Sequence, residues 1–447
     1  MTDFKGVPTN SLIGALLEPS RLLVAVACYA VFAIFFPRFA PVITLIVLCV
    51  GLLAAAAVEG LVQRRRLAWI GWGPVAKSAT LLIGIFLAGC AWSADPVDGL
   101  IKTAILASLL VSGLVITTLM ERMETPALKG AAAGLALGLA LGSIYVLVNT
   151  VTDREIERLT HDFLPFLREG FEGHYPTGPD GRVIQVSPTA FNRTTCAFAL
   201  LILPAMLAAW IVFKGRLRLI VVGLLLVAAA AVFFNSAHQS SQLAFVFGAL
   251  TLAVALRSLN AAKWLVTGAI VATFVLIVPF GIWAERTGLH MEKQVPFSAR
   301  ARLVYWSYTA EQITKRPLLG VGTAATASLD EARRETWEKP KGYVVPRRTS
   351  THPHNVYLQI LYEIGILGAL AVTIFAATLI WKAAELPARV APFAVAQAAV
   401  AAAMVLPSYG LWQTWLQAVI GASAIAIWLI GIMARREPQD VQASTTP

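Results

Sequence analysis

Long apolar runs, interrupted by short polar stretches, recur along nearly the whole chain. Many approach the ~20 residues that a helix needs to cross a hydrocarbon core. Read in order, they predict about twelve membrane-spanning helices, near 22–36, 41–62, 76–93, 99–120, 127–149, 190–213, 218–235, 241–256, 264–283, 356–381, 390–408 and 412–433. The expected fold is therefore an all-α polytopic membrane protein, with residues 1–447 forming a single integral membrane domain. Composition agrees: 57% of residues are hydrophobic and only 14% charged, where soluble domains are about half apolar. The first 20 residues carry Asp3, Lys5 and Glu18 and no small-residue cleavage site, so the first run reads as a retained span.

Charge then orients the spans. Basic residues gather in alternate loops: Arg64, Arg65, Arg66 with Lys77; Arg122 with Lys129; Lys214, Arg216 and Arg218; Arg257 with Lys263; Lys382 with Arg389; Arg435 with Arg436. The intervening short loops "SADPVDG", "NSAHQSS" and "PSYGLW" hold no Lys or Arg. By the positive-inside rule both termini are cytoplasmic. Trp69, Trp72, Trp92, Trp412 and Trp415 near span ends read as an interfacial belt. The net charge of +11 follows mostly from insertion and anionic lipid. A nucleic-acid partner would need a basic soluble domain, and none is present. Cys28, Cys49, Cys90 and Cys196 lie in or beside apolar runs without CxxC spacing, which argues against a zinc site or disulfide framework.

Two long segments fall on the external side, 150–189 and 284–355. The first reads as an amphipathic helix on the outer leaflet followed by a turn, with His161 and His174 at the surface. The second, between spans 9 and 10, carries 12 Lys/Arg against 7 Asp/Glu, which suggests an anionic partner. Within it, "SARARLVYWSYTAEQITKRPLLGVG" reads as a helix from an N-cap at Ser298 to a stop at Pro317. Arg302 and Trp306 share one face of that helix. Arg302 either snorkels from an interfacial helix or presents its guanidinium fork to a phosphate. The loop ends in "THPHNVYLQILYEIG", where His352, His354 and Asn355 precede an apolar run. His354 there is either a surface residue beside an Asn355 cap or a group held where helix donors favour an anion.

The combination of Arg302-x-x-x-Trp306, "RPLLGVG", His354-Asn355-x-Tyr357-Leu358-Gln359 and "YEIGILGAL" resembles the O-antigen ligase and polymerase superfamily, and most closely its ligases. The resemblance covers roughly residues 298–370. It implies a GT-C-type glycosyltransferase of the bacterial inner membrane, working at the periplasmic face. Its substrates would be a polysaccharide on undecaprenyl diphosphate and the sugar of lipid A–core, with membrane lipids around it. A polymerase and a protein O-oligosaccharyltransferase belong to the same superfamily and stay open as alternatives. By the resemblance, His354 corresponds to the family's functional histidine and Arg302 to its loop arginine. Arg193 in "FNRTTCAF" is the candidate for an arginine at the external end of a middle span. The chain departs from its relatives after "NSAHQSS": Ser241 is followed by Gln242 where Ser-Arg is common, so Gln242, His238 or Arg193 would supply that contact.

Such chemistry fits these residue types. Fixed guanidinium groups stabilise the charge that develops on a departing diphosphate, with Arg300, Arg347 and Arg348 as reserves to Arg193 and Arg302. A histidine can take the acceptor hydroxyl's proton late in the reaction, with His352 or Asn355 orienting it. One-step displacement would invert the anomeric carbon. No cofactor and no metal are expected, since arginines can neutralise the charge; Asp95 and Asp98 read as a helix cap. The rival from another class, a secondary transporter, would place ionisable groups at mid-span, and the spans read as lacking them.

Overall fold

The computed structural model describes residues 18–39, 42, 73–169, 172–334 and 347–443. Its helices are α1 (Pro19–Phe35), α2 (Pro74–Gly89, extended by a 3-10 turn Cys90–Trp92), α3 (Pro96–Met120), α4 (Thr125–Val151), α5 (Glu155–Phe163), α6 (Asn192–Val212) and α7 (Gly215–Asn235). They continue as α8 (Gln239–Arg257), α9 (Leu259–Arg286), α10 (Phe297–Lys315), α11 (Ala325–Arg334), α12 (Val356–Ala384), α13 (Ala391–Met404) and α14 (Thr414–Ala443). Among the described residues nine helices are long and apolar enough to cross a membrane, with α1 and α13 shorter apolar helices. The protein is an all-α polytopic membrane protein. The expected span 41–62, residue 42 apart, and Cys49, Arg64–Arg66, Trp69 and Trp72 lie outside the described residues.

The two expected faces are visible at the helix ends. Arg436 donates to the carbonyls of Met123 and Glu121, and Arg389 to that of Ala434, so these basic loops meet at one end of the bundle. Residues 90–95, 152–169, 172–191, 236–238, 287–334, 347–355 and 405–413 lie between helices at the opposite end. Packing inside the bundle is close. Glycines 130, 134 and 138 of α4 lie against the backbone of α1, where an added Cβ would sit 2.3 Å from the Pro19 carbonyl oxygen and 2.5 Å from that of Ala27. Small residues let helix backbones approach in this way where lipid supplies no hydrophobic drive.

α12 is broken at Gly365, which has φ 67° and ψ −157°. The segment 317–323 docks into the gap and takes up backbone groups freed by the break. Ile366 N–H donates to Pro317 O (2.9 Å), Val321 N–H to Tyr362 O (2.9 Å) and Gly322 N–H to Glu363 O (2.8 Å). The same segment is tied to the end of α2, where Thr323 Oγ1 donates to Phe86 O (2.6 Å) and Trp92 Nε1 to Leu319 O (3.1 Å). The "PLLGVG" run is thus a clamp on a kinked span. Gly365 occupies a region of φ/ψ open only to glycine, and its Cβ would overlap Leu318 O at 2.3 Å. Gly365→Ala is expected to cost about 3 kcal/mol or more in folded stability. Gly223→Ala, which meets nothing within 4 Å, is expected to be silent. Melting of both variants in detergent checks this.

Two sequence expectations need correction. α10 starts at Phe297 with Pro296 in the cap position, so Ser298 lies inside the helix; proline sets the backbone entry there and no side chain caps it. The 150–189 segment is a folded cap rather than a free surface helix. Glu157 of α5 is buried and accepts from Tyr175 Oη (3.0 Å) and from Tyr145 Oη. His161 is buried, not at the surface, with its ring stacked on Tyr175 at 3.9 Å. Leu159, Phe163 and Phe166 remain exposed, which preserves the amphipathic character.

Candidate active site

Three segments converge at the end of the bundle opposite the basic loops. α10 supplies Arg302 and, one turn on, Trp306. Trp306 Nε1 donates to Pro353 O (2.9 Å) and so pins the 351–355 stretch to α10. Asn355 caps α12, its Oδ1 accepting from Leu358 N–H (3.0 Å). Between these anchors His354 adopts a left-handed backbone, φ 53°, sparsely populated for residues with a side chain.

The third segment is the turn 405–413. Ser408 O accepts a hydrogen bond from His354 Nδ1 (2.9 Å). A carbonyl oxygen can only accept, so Nδ1 carries the proton and Nε2 is the basic nitrogen of His354. Ser408 Oγ lies 2.9 Å from His238 Nε2, and Ser241 Oγ lies 2.7 Å from His238 Nδ1. His354 N–H donates to His352 Nδ1 (3.2 Å), which places the His352 proton on Nε2. The two rings are 4.3 Å apart, and Tyr305 lies over His354 at 6.1 Å. Gly410 makes this packing possible, because a Cβ there would sit 2.7 Å from the His352 ring.

Burial disfavours charge on all three imidazoles. Burial lowers the His354 pKa and the Arg302 charge lowers it further, while the bond to Ser408 pulls it part of the way back. Burial, then Arg302, pushes His238 down to about 3, and burial, then His354, does the same for His352. The Arg302 charge thus acts on His238, His354 and the Tyr409 hydroxyl. Arg193, the second residue of α6, joins the same field: its charge acts on Tyr409 and on His174 and Arg38.

A buried carboxylate braces the turn. Glu363, fully enclosed in α12, accepts from Gln359 Nε2 (2.9 Å), Thr326 Oγ1 (2.6 Å), Ala324 N–H (2.8 Å) and Trp412 Nε1 (2.7 Å). Gln359 Oε1 in turn accepts from Leu411 N–H (2.7 Å). Glu363 is an ionisable group within a span, set near the start of α12 rather than at mid-span. Trp412 and Trp415 are not lipid-facing belt residues: one binds Glu363 and the other is buried. Asp95 caps α3 by accepting from Asp98 N–H (3.0 Å), and Asp98 pairs with Lys102.

The structure brings together Arg302, Trp306, His352, His354, Asn355 and His238, with Arg193 within electrostatic reach. Other candidates are engaged elsewhere. Tyr357 packs on Phe274 and donates to Ala402 O (3.2 Å). The Gln242 amide donates to Phe233 O (2.8 Å) and Ser236 O (3.3 Å), closing the end of α7. Arg347 pairs with Glu285 and Glu311, and Arg348 with Asp330; Arg300 stands two residues before Arg302 on α10, half-buried. Sequence reasoning missed Ser408, Tyr409, Gln359 and Glu363. The available signals were a lone carboxylate inside an apolar run and a Ser-Tyr-Gly turn between spans.

Fold and site together define a polytopic membrane protein with a cluster of histidines and arginines at one end of its bundle. Residues 224–373 match the family model described as "O-Antigen ligase", a segment that includes Arg302, His354 and Glu363. A protein of Rickettsia felis (strain ATCC VR-1525 / URRWXCal2) named "Putative polysaccharide ligase" is 37% identical over 73 residues, which is 16% of this chain and 17% of that relative. The likeness to the O-antigen ligase family is carried by residues 224–373, and the likeness to the Rickettsia protein by a short segment of both chains.

Proposed function

We propose that the protein is a glycosyltransferase of the ligase type, moving O-antigen polysaccharide from undecaprenyl diphosphate to lipid A–core. The observation that carries this reading is the geometry of His354, whose Nδ1–H is held by Ser408 O so that Nε2 is the basic nitrogen, with the Arg302 charge acting on the ring. The match to "O-Antigen ligase" supports it independently. The reaction is proposed at the periplasmic face of the bacterial inner membrane, with the basic loops and both termini cytoplasmic.

In the proposed step, an acceptor sugar hydroxyl attacks the anomeric carbon of the donor. The new carbon–oxygen bond forms as the bond to the diphosphate breaks, and the anomeric configuration inverts. His354 Nε2 takes the hydroxyl proton, and the electron pair leaves with undecaprenyl diphosphate. Arg302 and Arg193 stabilise the phosphate charge in a poorly hydrated setting, where fixed cations act strongly. They take the part that a divalent ion plays elsewhere, so no metal is required. His238 and His352, both neutral, line the pocket without competing for the anion.

The test in cells is deletion of the gene in its host. Lipopolysaccharide lacking long chains, with lipid-linked polymer retained, is the expected result. Retention of long-chain lipopolysaccharide contradicts the proposal.

A further inference from the structure

Tyr409 is the side chain of this pocket that the mechanism above does not use. Its ring is fixed on two sides, edge-on to Trp415 at 4.9 Å and 86° and tilted beside His238 at 5.6 Å and 37°. Its hydroxyl is enclosed, yet has no hydrogen-bond partner among the described residues. Folded proteins satisfy nearly all such groups, and exceptions collect where a ligand completes the set. The next residue back, Ser408, orients His354. Burial and the Cys196 thiol hold the hydroxyl in its protonated form, while the Arg193 and Arg302 charges act on it from α6 and α10.

The site therefore presents a fixed O–H on which two guanidinium charges from different helices act. The Tyr409 hydroxyl itself lacks an acceptor among the described residues. The buried carboxylate of Glu363 does not supply one, since it already takes four donors of its own. An anion with several oxygens fits, and the rigid ring would aim the hydroxyl at it without adding charge.

We propose that the Tyr409 hydroxyl is a third donor to the diphosphate of the lipid-linked substrate, acting between Arg193 and Arg302. This rests on the ligase reading. Tyr409 donates a hydrogen bond and transfers no proton, so it strengthens the departing phosphate's hold as charge develops there.

Tyr409→Phe removes one oxygen and keeps the packing. With full-length protein in detergent, two quantities are measured: melting temperature and the Kd of farnesyl diphosphate as a soluble isoprenyl diphosphate probe. The proposal predicts an unchanged or higher melting temperature, because an unmet polar group is gone, together with a Kd raised about tenfold. Equal Kd values for wild type and variant overturn the proposal while leaving the ligase reading in place. A clearly lower melting temperature reveals an internal partner for the hydroxyl and also overturns it. If wild-type protein does not bind the probe, the diphosphate reading fails and this proposal with it.

Discussion

Alanine in place of His354 is expected to lower transfer to lipid A–core by about 10²–10⁴-fold at equal protein level, the span typical for removing a positioned general base. The loss should fall on kcat, since the hydroxyl proton moves only as the glycosidic bond forms. The pH profile gives a second reading. The His354 pKa is below the ordinary histidine value, through burial and Arg302. The active, unprotonated form therefore predominates at neutral pH, and the acid limb of the wild-type rate lies below the ordinary histidine pKa of ~6.5. His161→Ala provides the contrast. That ring is stacked on Tyr175 in the folded cap, so its loss should reduce protein yield and leave the rate per folded molecule near wild type. A wild-type rate in purified His354→Ala would remove the base from the mechanism.

Arg302→Lys separates charge from geometry. Lysine keeps the positive charge but loses the planar fork, and a drop of about ten- to a hundredfold, or roughly 1–3 kcal/mol in the barrier, is expected. Arg302→Ala should cost more, since phosphate charge in a poorly hydrated pocket loses its counter-charge. The residual activity of the alanine variant should also show an acid limb moved to higher pH, because the Arg302 charge no longer depresses His354. A merely snorkelling Arg302 would tolerate lysine almost freely. Rates on purified, folded protein decide between these outcomes.

The spans were legible because membrane insertion is written locally: about 20 apolar residues and flanking basic loops suffice. The helix carrying Arg302 and the stretch carrying His354 were legible for a related reason, since each is a short contiguous pattern. Their meeting was not. It depends on Trp306 reaching Pro353, 47 residues away, and on a turn that brings Ser408 to His354 from 54 residues further along. "PSYGLW" was informative in sequence for lacking basic residues and for Trp412 at a span end, yet it supplies the carbonyl that fixes the histidine tautomer. Glu363 sits inside an apolar run, and its four donors come from three separate segments, so one-dimensional spacing does not reveal that it is satisfied. Gly365 was equally opaque: a glycine in a membrane helix usually signals close packing, and here it marks a break filled by the 317–323 clamp.

The most direct measurement of the central claim is transfer by purified protein, with undecaprenyl-diphosphate-linked polysaccharide and lipid A–core, in excess chelator. The account predicts polysaccharide-bearing lipid A–core with an inverted linkage, formed at the same rate with and without chelator. Loss of transfer in chelator, restored by magnesium or manganese, would contradict the arginine-based account. Extension of the lipid-linked glycan with the core left unmodified would contradict the ligase assignment itself.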